Sequence, residues 1–283
     1  MIVSGSDSQV LAARLAATLD EPLAAVEYDR FPDGELHVTV GTADADHAVI
    51  VASTVSSRAH IELLQLQDAV REAGVDVVTT VIPYLGYARQ DEAFAPGEPV
   101  SIRAIAQAID TGTDRVVTVN PHESNVQSFF DPPARVVDAS ARLAEPLPMD
   151  LTDPIFLAPD AGATDLASTV CNAYGRGTVD AFEKTRHSGE DIALSPSELD
   201  AEGRDVVVVD DIIATGSTMS ETIETLHDQG CNRVFVTCVH PVLAGNAYLK
   251  LIRSGADTLY ATDTLERPAS TVSVAPVIAD AIA

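Results

Sequence analysis

Residues 205–218 read Asp-Val-Val-Val-Val-Asp-Asp-Ile-Ile-Ala-Thr-Gly-Ser-Thr. An apolar run suited to a buried parallel strand ends in two carboxylates, Asp210 and Asp211, and then in a turn of small residues entering a helix. Ligands of open α/β sheets gather at such C-terminal strand ends. Ala214, Thr215, Gly216, Ser217 and Thr218 together offer backbone N–H groups, hydroxyls and a helix N-terminus to one phosphate, with Gly216 letting the backbone approach closely. Paired carboxylates beside that cradle suit the vicinal hydroxyls of a ribose, whose O–H groups need acceptors. Taken apart, Ser217 is an ordinary N-cap and Asp210-Asp211 a solvated loop. In uninterrupted order they make a sugar-phosphate site the better reading.

Two segments of the first half carry complementary chemistry: Arg30-Phe31-Pro32-Asp33-Gly34-Glu35 and Tyr84-Leu85-Gly86-Tyr87-Ala88-Arg89-Gln90-Asp91. An aromatic such as Phe31 and a guanidinium such as Arg89 sandwich a purine well, because the Arg plane stacks on π faces. Asp33, Glu35 and Gln90 supply hydrogen bonds to base nitrogens or to the sugar. Singly each is unremarkable: a core Phe, a surface Arg, a Pro-Asp-Gly turn. A third segment, Asn120-Pro121-His122-Glu123, runs on to Gln127-Ser128-Phe129-Phe130-Asp131, and a fourth, Leu157-Ala158-Pro159-Asp160-Ala161-Gly162-Ala163, puts Asp160 at another strand end.

These segments need a scaffold of strands ending side by side. Short apolar runs alternate with helical patterns, which predicts a parallel α/β architecture. In the first half, strands are expected at His47 to Ser53, Val75 to Ile82 and Arg115 to Val119, with helices near Arg58 to Ala73 and Val100 to Ile109. The second half repeats the plan. Its strands are expected at Pro154 to Ala158, Asp205 to Val209, Arg233 to Val239 and Thr258 to Tyr260, with helices near Thr164 to Tyr174 and Ser217 to Gln229. The run Asp114 to Val119 leading to Pro121-His122 is echoed by Asn232 to Thr237 leading to His240-Pro241. Duplicated domains, 1–145 and 146–283, joined near Glu145-Pro146-Leu147-Pro148, are the expectation.

Composition limits the partners. The 283 residues hold 43 Asp plus Glu against 17 Lys plus Arg, a formal charge of −26, with 46% hydrophobic and 21% charged residues. The acids are scattered through every segment, so a nucleic-acid or anionic-membrane binder is disfavoured. Self-repulsion on this scale opposes compactness unless salt screens it, and at molar salt the screening length falls to about 3 Å. A high-salt cytoplasm is therefore expected. Fifteen of the cations are Arg and two are Lys, Lys184 and Lys250. Cys171, Cys231 and Cys238 form neither an even disulfide framework nor a CxxC metal pair, as suits a reducing compartment. The start, Met1-Ile2-Val3-Ser4-Gly5-Ser6-Asp7, has no basic leader.

The 205–218 segment resembles the phosphoribosyl-diphosphate motif of type I phosphoribosyltransferase folds. The first-half segments look like the two ATP-site segments and the histidine segment of the ribose-phosphate diphosphokinases, also called phosphoribosyl-diphosphate synthetases, in matching order from about Arg30 to Thr218. The resemblance implies two similar domains, each a mainly parallel sheet flanked by helices. It implies transfer of the diphosphoryl group of MgATP to O1 of ribose 5-phosphate, with AMP leaving, for nucleotide biosynthesis. It puts ATP at Phe31, Asp33, Glu35, Arg89, Gln90, Asp91 and His122, and ribose 5-phosphate at Asp160, Asp210, Asp211 and Ala214 to Thr218. It also implies Mg²⁺ near His122 and Asp160, although imidazole is an unexpected ligand for an oxygen-preferring ion. A homo-oligomer is implied as well, since in the family the phenylalanine loop reaches a neighbouring subunit's site.

Phe182-Glu183-Lys184-Thr185-Arg186 resembles the Lys-x-Arg of the family's mobile catalytic loop, followed by a polar stretch, His187 to Pro196. In a chain with almost no lysine, one retained beside an Arg stands out, and Lys184 and Arg186 are assigned to neutralising transition-state charge. Lys250 reads as a solvated cation on a helix. The other histidines, His37, His47, His60, His187, His227 and His240, have no constellation around them. Three positions depart from the commoner pattern: Asn120-Pro121 for Asp-Leu, Glu92 for a Lys, and Ala163 for a second Gly. The stretch from Phe94 to Ser101 looks archaeal. A phosphoribosyltransferase using a base acceptor would lack the first-half motifs, and a silent regulatory subunit would have no need of Lys184, Arg186, His122 and Asp160.

Overall fold

The computed structural model describes residues 1–41, 45–186, 192–195 and 199–282, and for 183–186 and 192–195 the backbone alone. The chain divides into two compact units, one of Met1–Asp138, Asp263–Glu266 and Ser273–Ala283, the other of Ala139–Thr262 and Arg267–Val272.

The first unit runs β1 (Ile2–Ser4), α1 (Gln9–Leu19), β2 (Val26–Arg30), β3 (Leu36–Val40), β4 (His47–Val51), α2 (Ser57–Glu72), β5 (Val77–Ile82), α3 (Ser101–Asp110), β6 (Arg115–Val119) and β7 (Ala134–Val137). Its sheet has the order β1-β4-β5-β6-β7, every neighbour parallel. Strands covered on both faces need continuous apolar runs, and Ile50, Val78, Ile82 and Val116 are fully buried in one core with Leu63 and Leu66 of α2. β2 and β3 stand apart as an antiparallel ribbon, paired from Val26↔Val40 to Arg30↔Leu36. The ribbon packs on α2, where Gln65 Nε2 donates to Leu36 O at 2.9 Å.

The second unit runs β8 (Ile155–Ala158), α4 (Thr164–Tyr174), β9 (Thr178–Ala181), β10 (Glu183–Arg186), β11 (Ile192–Ser195), β12 (Val206–Ile212), α5 (Ser217–Asp228), β13 (Val234–His240), α6 (Ala247–Arg253), β14 (Thr258–Thr262) and β15 (Ser270–Val272). Its parallel sheet has the order β15-β14-β13-β12-β8-β9. Val206, Val208, Val234 and Val236 sit at its centre, fully buried. At the N-terminal end of β12, the buried Asp205 accepts from Arg233 Nη2 at 2.6 Å, Asn232 Nδ2 at 2.8 Å and Thr152 N at 2.6 Å, so a carboxylate with no exposure is fully engaged. β10 and β11 form a separate antiparallel pair.

The chain then returns to the first unit, whose last helix, α7 (Ala275–Ile282), packs on α1. Arg14 Nη1 reaches the buried Asp263 carboxylate at 2.6 Å, and Asp263 Oδ1 accepts from Val274 N at 2.8 Å. A single cut after Glu145 therefore does not describe the division. The Pro-rich stretch Glu145 to Pro148 packs instead of linking: Leu143 and Leu147 are buried, and Tyr174 Oη donates to Pro148 O at 2.6 Å.

Candidate active site

In the second unit, β8 and β12 run side by side in parallel, Leu157 opposite Val208. Their C-terminal ends thus put Asp160 next to Asp210 and Asp211. The two aspartates lie inside β12, not in a loop after it. Burial, then the neighbouring Asp211, pushes the Asp210 carboxyl well above the ordinary carboxylate range, and Asp160 acts in the same direction. Carboxyl groups grouped in this way invite hydrogen-bond donors.

The turn after β12 enters α5 directly. Gly216, at φ +70°, is the N-cap, with no side chain capping it, so Ser217 is the first helical residue and not the cap. The first-turn amides of α5 have no partner within the helix and face the space where an anion is best stabilised. Gly216 is favoured by its left-handed backbone; the space beside it is no bar, since an added Cβ would make ordinary contacts with Leu251 Cδ2 at 3.4 Å and Ala247 Cβ at 3.5 Å. Thr215 Oγ1 and Ser217 Oγ lie 3.4 Å apart, both exposed. Behind them Lys250 Nζ donates to Ser217 Oγ at 3.0 Å, a contact missed in the sequence although lysine's rarity signalled it.

Asp160 opens a 3-10 turn, its Oδ1 accepting from Gly162 N at 3.0 Å. Ala163 there has φ −95°, so nothing in the backbone calls for a glycine.

In the first unit, the tip of the β2–β3 ribbon carries Phe31, Asp33 and Glu35. Phe31 N donates to Glu35 O at 2.9 Å, and Asp33 Oδ1 accepts from Glu35 N at 3.2 Å. Phe31 is 49% exposed, and the ring it meets is His37 at 4.9 Å, not a cation, so the chain does not by itself close a Phe31–Arg89 sandwich.

The Tyr84–Asp91 segment leaves β5 and is braced from below. Tyr84 O accepts from Thr54 N at 2.9 Å, Gly86 N donates to Thr54 Oγ1 at 2.9 Å, and Tyr87 takes φ +66°. Arg89 is exposed. Gln90 differs from expectation: its Oε1 accepts from Ser101 Oγ at the start of α3, which makes it a brace that keeps both amide N–H groups for a ligand.

The histidine segment leaves the adjacent strand β6. Asn120 there has φ +34°, a conformation Asn tolerates, and its Nδ2 donates to Asp138 Oδ1 at 2.7 Å. Asn125 Nδ2 donates to Asp91 Oδ2 at 3.3 Å, joining this segment, and with it His122, to Tyr84–Asp91.

Lys184 and Arg186 sit on β10, Lys184 opposite Leu194 and Arg186 opposite Ile192. Part of what reads as a polar loop is thus a paired strand; the side chains of Lys184 and Arg186, and residues 187–191 and 196–198, lie outside the described residues. The remaining histidines are mostly structural. His47 Nε2 pairs with Thr79 Oγ1 at 2.9 Å, His227 Nε2 meets Gly255 O at 2.9 Å, and burial pushes His60 down to about 4. Among the described residues no three His, Cys, Asp or Glu side chains converge on one cation, and no helix is long and apolar enough to cross a membrane.

A family model for the N-terminal domain of ribose phosphate pyrophosphokinase matches residues 1–112, and one for the phosphoribosyl transferase domain matches residues 131–266. A ribose-phosphate pyrophosphokinase of Halobacterium salinarum is 62% identical over the full length of both chains, and one of Methanosarcina mazei is 43% identical over 99% of this chain and 94% of its own. The chain belongs to the ribose-phosphate pyrophosphokinase family. The solved phosphoribosylpyrophosphate synthetase of Mycobacterium smegmatis superposes with a TM-score of 0.84 at 27% identity, covering 100% of this chain and 97% of that one. As a member of the family the chain is an enzyme, a diphosphotransferase of nucleotide biosynthesis built on the α/β fold with parallel sheets that the sequence predicts.

Proposed function

We propose that this pyrophosphokinase passes the diphosphoryl group of MgATP to O1 of ribose 5-phosphate by dividing the work between its two sheets. The observation that carries the reading is the exit of β12: carboxylates at the end of a buried strand, then a turn with a glycine N-cap that presents helix amides. The amides and hydroxyls of Ala214 to Thr218 take the 5-phosphate. Asp210 and Asp211, with Asp160 beside them, accept from the ribose hydroxyls and so fix the direction of O1.

Arg89, Gln90, Asp91 and His122, all of the first unit, bind ATP. Phe31, Asp33 and Glu35, exposed on the ribbon, serve a neighbouring subunit's adenine, which makes the working form a homo-oligomer. Lys184 and Arg186 spread the negative charge that builds up as the bond between the α- and β-phosphates gives way to the new bond at O1.

Mg²⁺ suits the carboxylate cluster: it takes oxygen ligands, one or two from protein and the others from phosphates and water, so a full protein cage is not needed. Bound there, the ion would neutralise phosphoryl oxygens. Asp160 is the residue that would hold it, and His122 would serve the ATP it accompanies. The −26 charge, and a 62% identical relative from Halobacterium salinarum, support a protein that works at high salt.

The test is ribose 5-phosphate with ATP and Mg²⁺ in molar salt, with AMP and 5-phosphoribosyl 1-diphosphate measured together. Equal amounts of the two products are expected, with loss of turnover and of the oligomer at low salt. Turnover only with preformed phosphoribosyl diphosphate and a base would overturn the reading.

A further inference from the structure

Of the chain's two lysines, only Lys184 has so far been given a task. The other belongs to a helix packed against the phosphate turn. Leu251 and Ala247 of α6 close over Gly216, and the segment leading into α6 is tied to the turn by Leu243 N to Ile213 O and Ala244 N to Ala214 O, both 2.9 Å. From that platform Lys250 extends its ammonium to Ser217 Oγ at 3.0 Å.

The polarity of this bond is fixed. An ammonium has three donors and accepts nothing, so the Ser217 oxygen is the acceptor. The single hydroxyl hydrogen is then left for Thr215 Oγ1, 3.4 Å away, or for an anion seated in the turn. The same contact leaves further ammonium hydrogens for that anion.

Charge argues the same way. The turn itself, residues 213–218, contains no cation, while Asp210 and Asp211 stand one residue before it. A phosphate dianion placed there needs a positive group to offset them. The chain has 43 acidic residues, and a surface lysine would be expected to find one. Among the described residues Lys250 is paired with no carboxylate; its partner is a hydroxyl of the phosphate turn.

We propose that Lys250 is a substrate-binding residue, the cation that receives the 5-phosphate of ribose 5-phosphate together with Ser217. It selects for a phosphomonoester at this end of the site. This rests on the reading of Ala214 to Thr218 as the sugar-phosphate seat, so the test includes a residue of the turn.

The full chain is assayed as Lys250→Met, Lys250→Arg and Thr218→Ala, varying ribose 5-phosphate at saturating ATP and the reverse. For Lys250→Met, KM for ribose 5-phosphate should rise about tenfold or more, as expected for a charged hydrogen bond. Its kcat and KM for ATP should stay within about twofold of wild type. Lys250→Arg should restore most of the loss, because the charge is kept. An unchanged KM in Lys250→Met alongside a raised one in Thr218→Ala would overturn the role of Lys250 and leave the turn standing. No change in either would overturn both. A matching fall in kcat and thermal stability in both Lys250 variants would mark a merely structural residue and also overturn it.

Discussion

In each unit an inner parallel strand hands over to a helix: β12 to α5 through residues 213–216, β5 to α3 through residues 83–100. The short connection leaves little but backbone, and its chemistry is that of amides at a helix N-terminus. The long one has room for Tyr87, Arg89, Gln90 and Asp91, and its chemistry is that of side chains. A phosphate, compact and charged, is well served by the first; a flat, weakly charged base needs planes and directed hydrogen bonds, hence the second. Both connections are buttressed alike. The segment after the next strand sends a side chain back, Lys250 to Ser217 in one unit and Asn125 to Asp91 in the other. On the proposed assignment of ligands, one architecture would serve two ligand chemistries by changing the length of a single connection.

On the proposed assignment neither connection performs the transfer, and that separation is the first thing to attack. Lys184→Ala should lower kcat by at least about 10²-fold, the scale for removing one group that stabilises transition-state charge, with ATP binding little changed by calorimetry. Near-normal turnover would move the chemistry back to the strand ends.

Next, alanine at either of two left-handed glycines should cost about 1–2 kcal/mol of backbone strain, read in denaturant unfolding. Only Gly216→Ala, at φ +70° against α6, should also raise KM for ribose 5-phosphate several-fold; Gly97→Ala, at φ +90° in open space, should not. Equal kinetic effects would erase the distinction between the two connections.

Asp210→Asn separates binding from stability. A carboxyl whose folded-state pKa lies above its unfolded value contributes stability below the ordinary carboxylate range and loses it as pH rises toward the folded value. Relative to wild type, the apo Asn variant should therefore gain thermal stability as pH climbs from about 4 to neutrality, while binding ribose 5-phosphate more weakly. A stability difference independent of pH would mean that burial and Asp211 do not strain this carboxyl.

The smallest effect belongs to the exposed buttress. Asn125→Ala should raise KM for ATP about two- to threefold, in line with a net hydrogen bond of roughly 0.5 kcal/mol, and leave KM for ribose 5-phosphate alone. The reverse pattern would contradict the assignment of connections to ligands.

What was legible in the sequence follows the same physics. Strands buried on both faces write themselves as short apolar runs, so β5, β6, β8 and β12 to β14 are readable to within a few residues, and the turn at 213–216 is readable because its glycine and hydroxyls have few other uses. The ribbon β2–β3 is half exposed and carries charges, so it shows as a motif and not as strands. β1 is too short to have a period. β10 and β11 pair with each other, outside any sheet core, and read as loop. Gln90 and Lys250 were assigned by residue type, yet their roles depend on which neighbour sits opposite, Ser101 or Ser217, and that is set by helix packing between residues far apart in sequence. The division into units failed for a related reason: a proline-rich stretch looks like a linker until Leu143 and Leu147 are seen to be buried.

The return of Asp263–Glu266 and Ser273–Ala283 to the first unit has a consequence for the order of events at the ribosome. Ser53 Oγ donates to Thr264 O at 2.5 Å, Val10 N donates to Glu266 Oε1 at 2.6 Å, and α7 covers α1. Domains generally fold as units, N-terminal first, during synthesis. Here the first unit to emerge is the last to be finished, because Ser273–Ala283, the last segment that closes it, is translated after the whole of the other. A nascent chain stalled before Asp263 would already hold the whole β12–α5 turn, while its first sheet still lacked the helix that packs on α1.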